Sequence, residues 1–299
     1  MTDARVALVP EEILRLSGDG ADELLDRLER RVPVRAPWVE IPEGPIDEAL
    51  VFGDSHGDWR STIELVRRWR AGNRYLVGLG DYVDRSPEDC GAGSVANALY
   101  LLGLAAESPD RVYLVQGNHE LVHRIPAVPH HLPEEVDELW GPDSTRYDRI
   151  LGLFERGPLA VTTKNGAYLA HAGFPREKMP SPWTRAFESP SDERLLEITW
   201  AECDASRVRR GAASPWGARD LDQFLRTTGL RLVLRGHDPD LTGRPLYGGR
   251  CLTLHTSRIY ERYGGVIVAV LPLRVPLTGV SDLRVEHLAS ERKSYPNPE

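Results

Sequence analysis

Short apolar runs, each closed by glycine and a polar side chain, alternate along this chain with longer amphipathic stretches. Residues 112–115, 167–170 and 230–234 are too short for helices and read as buried strands, and residues 52–54 finish another. Residues 59–70, 92–106 and 217–228 predict helices between them. Near the start, Leu24, Leu25, Leu28 and Val32 recur at helical spacing among charged residues, which predicts a helix within 11–32 lying ahead of the core. Beyond His237 the pattern turns to β-rich runs at 251–255, 266–270 and 283–287, which predict an antiparallel sheet closing the fold. Strand, helix, strand is the rhythm of an α/β chain.

Composition narrows this picture. A chain of 299 residues with no Pro/Gly/Ser linker builds one substantial core. The expected division is an N-terminal helical extension at 1–45, a catalytic domain at 46–290 and a polar tail at 291–299. The 37 basic and 45 acidic residues give a net charge of −8, which argues against a duplex nucleic-acid partner. Cys90, Cys203 and Cys251 lack CxxC spacing and read as reduced packing residues. No signal sequence and no apolar run of membrane length is visible, so no membrane partner and a cytoplasmic location are expected.

Chemistry concentrates in five segments: Gly53-Asp54-Ser55-His56-Gly57-Asp58, Gly80-Asp81-Tyr82-Val83-Asp84-Arg85, Gly117-Asn118-His119-Glu120, His171-Ala172-Gly173 and Arg235-Gly236-His237. Each falls at a strand-to-loop junction, where open α/β sheets place their sites. Two divalent cations about 4 Å apart need a bridging carboxylate and a mixed shell of imidazole, carboxylate and neutral oxygen. Asp81 is the natural bridge. Asp54 and His56 would join it on the first cation, and Asn118, His171 and His237 on the second. Any one segment alone is better read as a turn or a packed edge residue. The five together point to a two-metal phosphoesterase. Manganese suits the donors in vitro, with iron or zinc as the alternatives in the cell.

These segments resemble the phosphoprotein phosphatase family of Ser/Thr phosphatases, in the calcineurin-like metallophosphoesterase superfamily, whose signature runs GDxHG, GDxVDRG, GNHE, HGG and a later [RA]-x-H. The resemblance covers roughly residues 48–262. It implies a mixed α/β fold, a four-layer αββα sandwich of two mixed sheets flanked by helices. It gives the same ligands: Asp54, His56 and Asp81 for one metal, and Asp81, Asn118, His171 and His237 for the other. It further implies that His119 is the general acid for the leaving alkoxide, oriented by Asp84, and that Arg85 grips the phosphate with Asn118 beside it. Arg210 matches a second phosphate-gripping arginine, and Tyr260 a substrate-side tyrosine whose neighbours differ from the family's. The chemistry agrees with these roles. Forked guanidinium groups suit a phosphate dianion, and a serine alkoxide leaves readily only if protonated as it departs. A water activated by two cations removes the need for a protein nucleophile.

Departures from the pattern bear on the substrate. Ser86 and Ala172 replace family glycines, and Asp58 extends the first motif. These features resemble bacterial or archaeal relatives, including symmetrical dinucleoside tetraphosphate hydrolases. The preferred reading is a metal-dependent phosphomonoesterase acting on phosphoserine or phosphothreonine in a protein or peptide, because the second and third motifs are intact. The alternatives are a phosphoanhydride hydrolase acting on nucleotides and, more weakly, a catalytically silent binding module. Residues 121–147 hold His123, His130 and His131, four prolines and an acidic cluster. They predict an exposed, substrate-selecting loop beside the site, in preference to a further metal site at His130 and His131. Trp183, Trp200 and Trp216 are expected in the core, and His255 behind the ligands.

Overall fold

Residues 6–142, 144–176 and 179–288 are described by the computed structural model, and the tail expected at 291–299 lies outside them. Two helices open the chain, α1 (Pro10–Ile13) and α2 (Gly18–Arg31). The single helix expected within 11–32 is split because Ser17 caps the second, its Oγ accepting from the Gly20 amide at 3.2 Å. Then come β1 (Trp38–Glu40), β2 (Glu48–Phe52), α3 (Trp59–Arg70), β3 (Arg74–Gly78), α4 (Gly93–Glu107), β4 (Val112–Leu114), α5 (Leu132–Trp140) and α6 (Ser144–Phe154). The second half runs β5 (Ala160–Thr162), β6 (Ala167–Ala170), α7 (Asp192–Thr199), α8 (Ala218–Thr228), β7 (Leu232–Arg235), β8 (Cys251–Thr253), β9 (Ile267–Pro272) and β10 (Arg284–His287).

In the first sheet β2, β3 and β4 pair in parallel and β9 and β10 add antiparallel, in the order β10-β9-β2-β3-β4. The second sheet, β1-β5-β6-β7-β8, is parallel except between β5 and β6. Side-chain alternation sets the layers. Along β2, Leu50 and Phe52 pack with Leu24 of α2, Leu65 of α3, Leu99 of α4, Val136 of α5 and Ile150 of α6. Ala49 and Val51 face the other way, with Leu169, Leu234 and Leu252 of the second sheet. On that sheet's outer face Tyr168 and Val233 pack with Leu195 of α7 and Phe224 of α8. The αββα sandwich of two mixed sheets is therefore the fold. Full burial of Leu24, Leu25 and Leu28 contributes about 1.5–3 kcal/mol each, which fastens α2 to its layer. Among the described residues no helix is long and apolar enough to cross a membrane.

Residues 251–255, 266–270 and 283–287 do not share one antiparallel sheet. β8 adds parallel to β7, whereas β9 crosses to the first sheet and lies antiparallel between β2 and β10. An apolar run marks a strand but does not name its partner. Nor is 121–147 an open loop. Leu132 and Val136, spaced i and i+4, bury one face of α5 in the helical layer, and Pro133 is tolerated in its first turn.

Candidate functional site

Strand ends from both sheets meet at one place. Asp54 follows β2, Asp81 β3, Asn118 β4, His171 β6 and His237 β7, and all five are buried. Sharp backbone bends aim them. Among the described residues seven non-glycine residues have positive φ, and His56, Asp81, Asp84, Arg85 and His237 are among the seven. Such conformations cost about 1–3 kcal/mol each and persist only where the surroundings dictate them. At Gly80, φ +97°, a Cβ would lie 2.5 Å from Gly117 Cα, so the second and third motif loops touch through glycine alone.

His171 Nε2 lies 2.9 Å from Asn118 Oδ1 and 3.4 Å from Asp81 Oδ1. His237 Nδ1 lies 3.1 Å from the same Asn118 oxygen and 3.2 Å from His171 Nε2. From the other side, His56 Nε2 approaches Asp81 Oδ2 at 3.5 Å and Asp54 Oδ2 at 3.9 Å. Two groups able to hold a metal ion share Asp81: His56, Asp81 and His119, and Asp81, His171 and His237. His119 thus stands at ligand distance, with Nε2 4.0 Å from Asp81 Oδ2.

The protonation of these side chains suits cations. His56 Nδ1 lies 2.8 Å from the Val83 carbonyl and His171 Nδ1 2.9 Å from that of Leu79, so each Nδ1–H donates outward and each Nε2 lone pair turns inward. Burial, opposed by Asp81 and aided by Arg85 and His119, pushes His56 down to about 3. Burial and the neighbouring Arg210 likewise push His237 well down. Burial works to raise Asp54 and Asp81, yet the surrounding imidazoles hold both carboxyls below their ordinary range. His56 Nε2 and His119 Nε2 are buried with no hydrogen-bond partner. Buried imidazole nitrogens without a hydrogen-bond partner beside carboxylates are the donor set of a divalent metal centre.

Around the cluster, His119 Nδ1 lies 2.5 Å from Asp84 Oδ2. Burial works to raise the Asp84 carboxyl, but His119 and His130 hold it well below the usual range. Arg85 Nη1 donates to the Tyr260 hydroxyl at 3.0 Å. Arg210 Nη1 lies 3.2 Å from His237 Nε2, and its Nη2 donates to the His237 carbonyl at 3.1 Å. All the residues nominated from sequence are thus brought together, Arg210 and Tyr260 included.

The sequence reading left other contributors without a role. Glu120 Oε2 accepts from the amides of Asp81 and Gly117 and Oε1 from that of Tyr82, each at 2.8 Å, so one buried carboxyl ties two motif loops. Burial and Asp81 push it up to about 8. Its place beside His119 was the available signal. Arg258 Nη2 donates to Asp58 Oδ1 at 2.9 Å and fastens the turn carrying Tyr260 to the start of α3. His130, expected in an open loop, is partly buried against Asp84. His255 lies behind the cluster, its Nε2 3.2 Å from Asp54 Oδ2. Trp216 is core and Trp183 packs 5.7 Å from Trp38, but Trp200 sets its ring 5.8 Å from that of His237, at the edge of the cluster.

Residues 49–241 match the family model described as calcineurin-like phosphoesterase. The chain is 29% identical, over 72% of its length, to a probable serine/threonine-protein phosphatase of Encephalitozoon cuniculi, and spans only 48% of that protein. It is 26% identical, over 76% of its length, to the serine/threonine-protein phosphatase 4 catalytic subunit of Kluyveromyces lactis, spanning 75% of it. A solved protein serine/threonine phosphatase from Saccharomyces cerevisiae shares the fold with a TM-score of 0.69 at 23% identity, covering 96% of this chain and 92% of that one.

Proposed function

The chain belongs to the calcineurin-like phosphoesterase family, and from that premise we propose that it is a metal-dependent phosphomonoesterase acting on phosphoserine and phosphothreonine in proteins. The observation that carries this reading is the pairing of a buried metal-binding cluster centred on Asp81 with the Asp84–His119 couple beside it. Asp54, His56 and Asp81 would hold one cation, and Asp81, Asn118, His171 and His237 the other. Manganese fits these oxygen and imidazole donors, as do iron and zinc. When bound, the cations supply Lewis acidity, neutralising phosphoryl oxygens and activating water for direct attack on phosphorus.

The other tasks fall to the chain's own side chains. Arg85 and Arg210 offer forked donors to the phosphate oxygens, with the Asn118 side chain alongside. Tyr260 holds one arm of the Arg85 fork in place. His119 delivers a proton from Nε2 to the departing oxygen, while Asp84 takes its Nδ1–H and so orients the ring. That couple also supports the substrate class. A phosphoanhydride releases phosphate, which departs without help, whereas the alkoxide of serine needs a proton.

The test is a parallel assay of the purified, manganese-loaded protein on a phosphoserine peptide, p-nitrophenyl phosphate and diadenosine tetraphosphate. Phosphate release from the peptide well above cleavage of the dinucleotide is expected. The opposite preference overturns the substrate reading, and full turnover after elemental analysis shows the metal gone overturns the metal reading.

A further inference from the structure

Asp84 serves two imidazoles at once. His119 Nδ1 at 2.5 Å and His130 Nδ1 at 2.8 Å share the same oxygen, Oδ2. Oδ1 accepts from the amides of His131 at 2.7 Å and Leu132 at 3.0 Å. An ionised carboxylate only accepts, so each ring presents an Nδ1–H to it. The second nitrogen of His130, Nε2, lies 2.9 Å from the Tyr147 hydroxyl. Burial pushes that phenol up to about 12, so it keeps a proton to donate to Nε2. His130 is therefore held at both ends, with the Tyr147 ring centred 5.5 Å from its own.

These bonds are part of a joint between elements. His131 and Leu132 begin α5. The Asp84 amide donates to Ser94 Oγ at 2.9 Å. Ser94, at the start of α4, donates in turn from Oγ and its amide to Glu135 of α5, at 2.6 and 2.7 Å. The first turn of α5 thus fixes the Asp84 carboxylate directly and its backbone through Ser94. Asp84 has φ of +65°, a conformation that needs such support.

We propose that His130 is a positioning residue for the proton donor: by sharing Asp84 Oδ2 it fixes the plane of that carboxylate, and through it the aim of His119 Nε2 at the departing oxygen. The inference rests on the reading of His119 as that donor. With donors on both oxygens, the carboxylate cannot rotate about Cβ–Cγ without breaking a bond. Without His130 the amides of His131 and Leu132 still hold Oδ1, but Oδ2 keeps only His119, a ring that can tilt with it, so nothing fixed sets the carboxylate's second oxygen. Proton transfer needs a heavy-atom separation of about 2.6–3.2 Å, so a small tilt of the ring is felt in the rate.

The experiment compares His130→Leu, His130→Asn and Tyr147→Phe, with His119→Asn as reference, all manganese-loaded and with metal content measured. Both kcat and KM are read on a phosphoserine peptide and on p-nitrophenyl phosphate. His130→Leu is expected to lower kcat on the peptide about 10- to 100-fold, the usual loss when an orienting partner is removed. KM should stay within about 2-fold, as for an interaction made only in the transition state. Metal content should be unchanged, and p-nitrophenyl phosphate, whose leaving group needs little protonation, should lose far less. His130→Asn, whose side-chain amide can replace the Nδ1–H, should recover most of the loss, and Tyr147→Phe should copy it weakly. Equal losses on both substrates, no recovery with Asn, or a fall in bound metal would overturn the proposal. Should His130→Leu fail to fold, Tyr147→Phe decides, and unchanged peptide turnover in it overturns the proposal. If His119→Asn shows the leaving-group dependence and the His130 variants do not, only the His130 inference falls. If His119→Asn shows none, the donor reading falls and takes the inference with it.

Discussion

His119 stands between two possible duties. Its Nε2 is buried without a partner and lies within metal-binding reach of His56 and Asp81, while its Nδ1 is committed to Asp84. A ligand and a proton donor use the same nitrogen, so the residue cannot do both in one turnover. The two roles predict different outcomes for His119→Asn. As a donor, its loss leaves close to two metals per chain and lowers kcat on a phosphoserine peptide by roughly 10²- to 10⁴-fold, with a much smaller loss on p-nitrophenyl phosphate. As a ligand, its loss empties a metal position, and both substrates suffer alike. Elemental analysis beside the two-substrate assay separates the cases.

Among the elements, α5 shows where sequence is legible and where it is not. The motif loops could be read because metal and phosphate chemistry restricts which residue types serve, and because each follows a short apolar run within a few positions. Helix α5 was hidden: the histidines and prolines ahead of it signal a loop, and only Leu132 and Val136 betray the buried face. The role of His130 had no local signal, since its partner Asp84 is 46 positions away. The pair Arg258–Asp58 spans 200. Contacts of that kind are set by the packing of layers, as is the partner of β8. Glu135 tests the same joint. It accepts from the amides of Ser94 and Val95 and from the hydroxyls of Ser94 and Ser86, so it satisfies first-turn donors of α4 that have no partner within the helix. Glu135→Ala strands those buried donors and should lower stability by about 1–3 kcal/mol in denaturant unfolding, with an unchanged m-value. An unchanged midpoint would show that α5 is not fastened through this residue.

For the molecule as a whole, the decisive point is that the residues proposed as ligands come from both sheets. Asp54, Asp81 and Asn118 follow β2, β3 and β4 of one, whereas His171 and His237 follow β6 and β7 of the other. Between the sheets lies a mainly aliphatic layer, and a few hydrogen bonds, such as that from His171 Nδ1 to the Leu79 carbonyl, cross it near the cluster. Cations bound at the cluster would therefore join the two sheets at their carboxyl ends, and metal binding should be visible as stability. Manganese at 100 times its dissociation constant stabilises by about 2.7 kcal/mol per site that is lost on unfolding. In a chain of 299 residues each kcal/mol moves the melting temperature by about 1.6 °C, from an unfolding entropy of about 2.1 cal/mol/K per residue. Excess manganese should therefore raise Tm by roughly 4 °C or more over the chelated protein. Asp81→Asn should remove most of that increment, since its carboxylate belongs to both groups, whereas Asp54→Asn should remove only part. Calorimetry with and without metal reads this without any substrate, so it stays independent of the assays above. If Asp81→Asn gains as much from manganese as the parent chain, the cations bind elsewhere and do not join the two sheets.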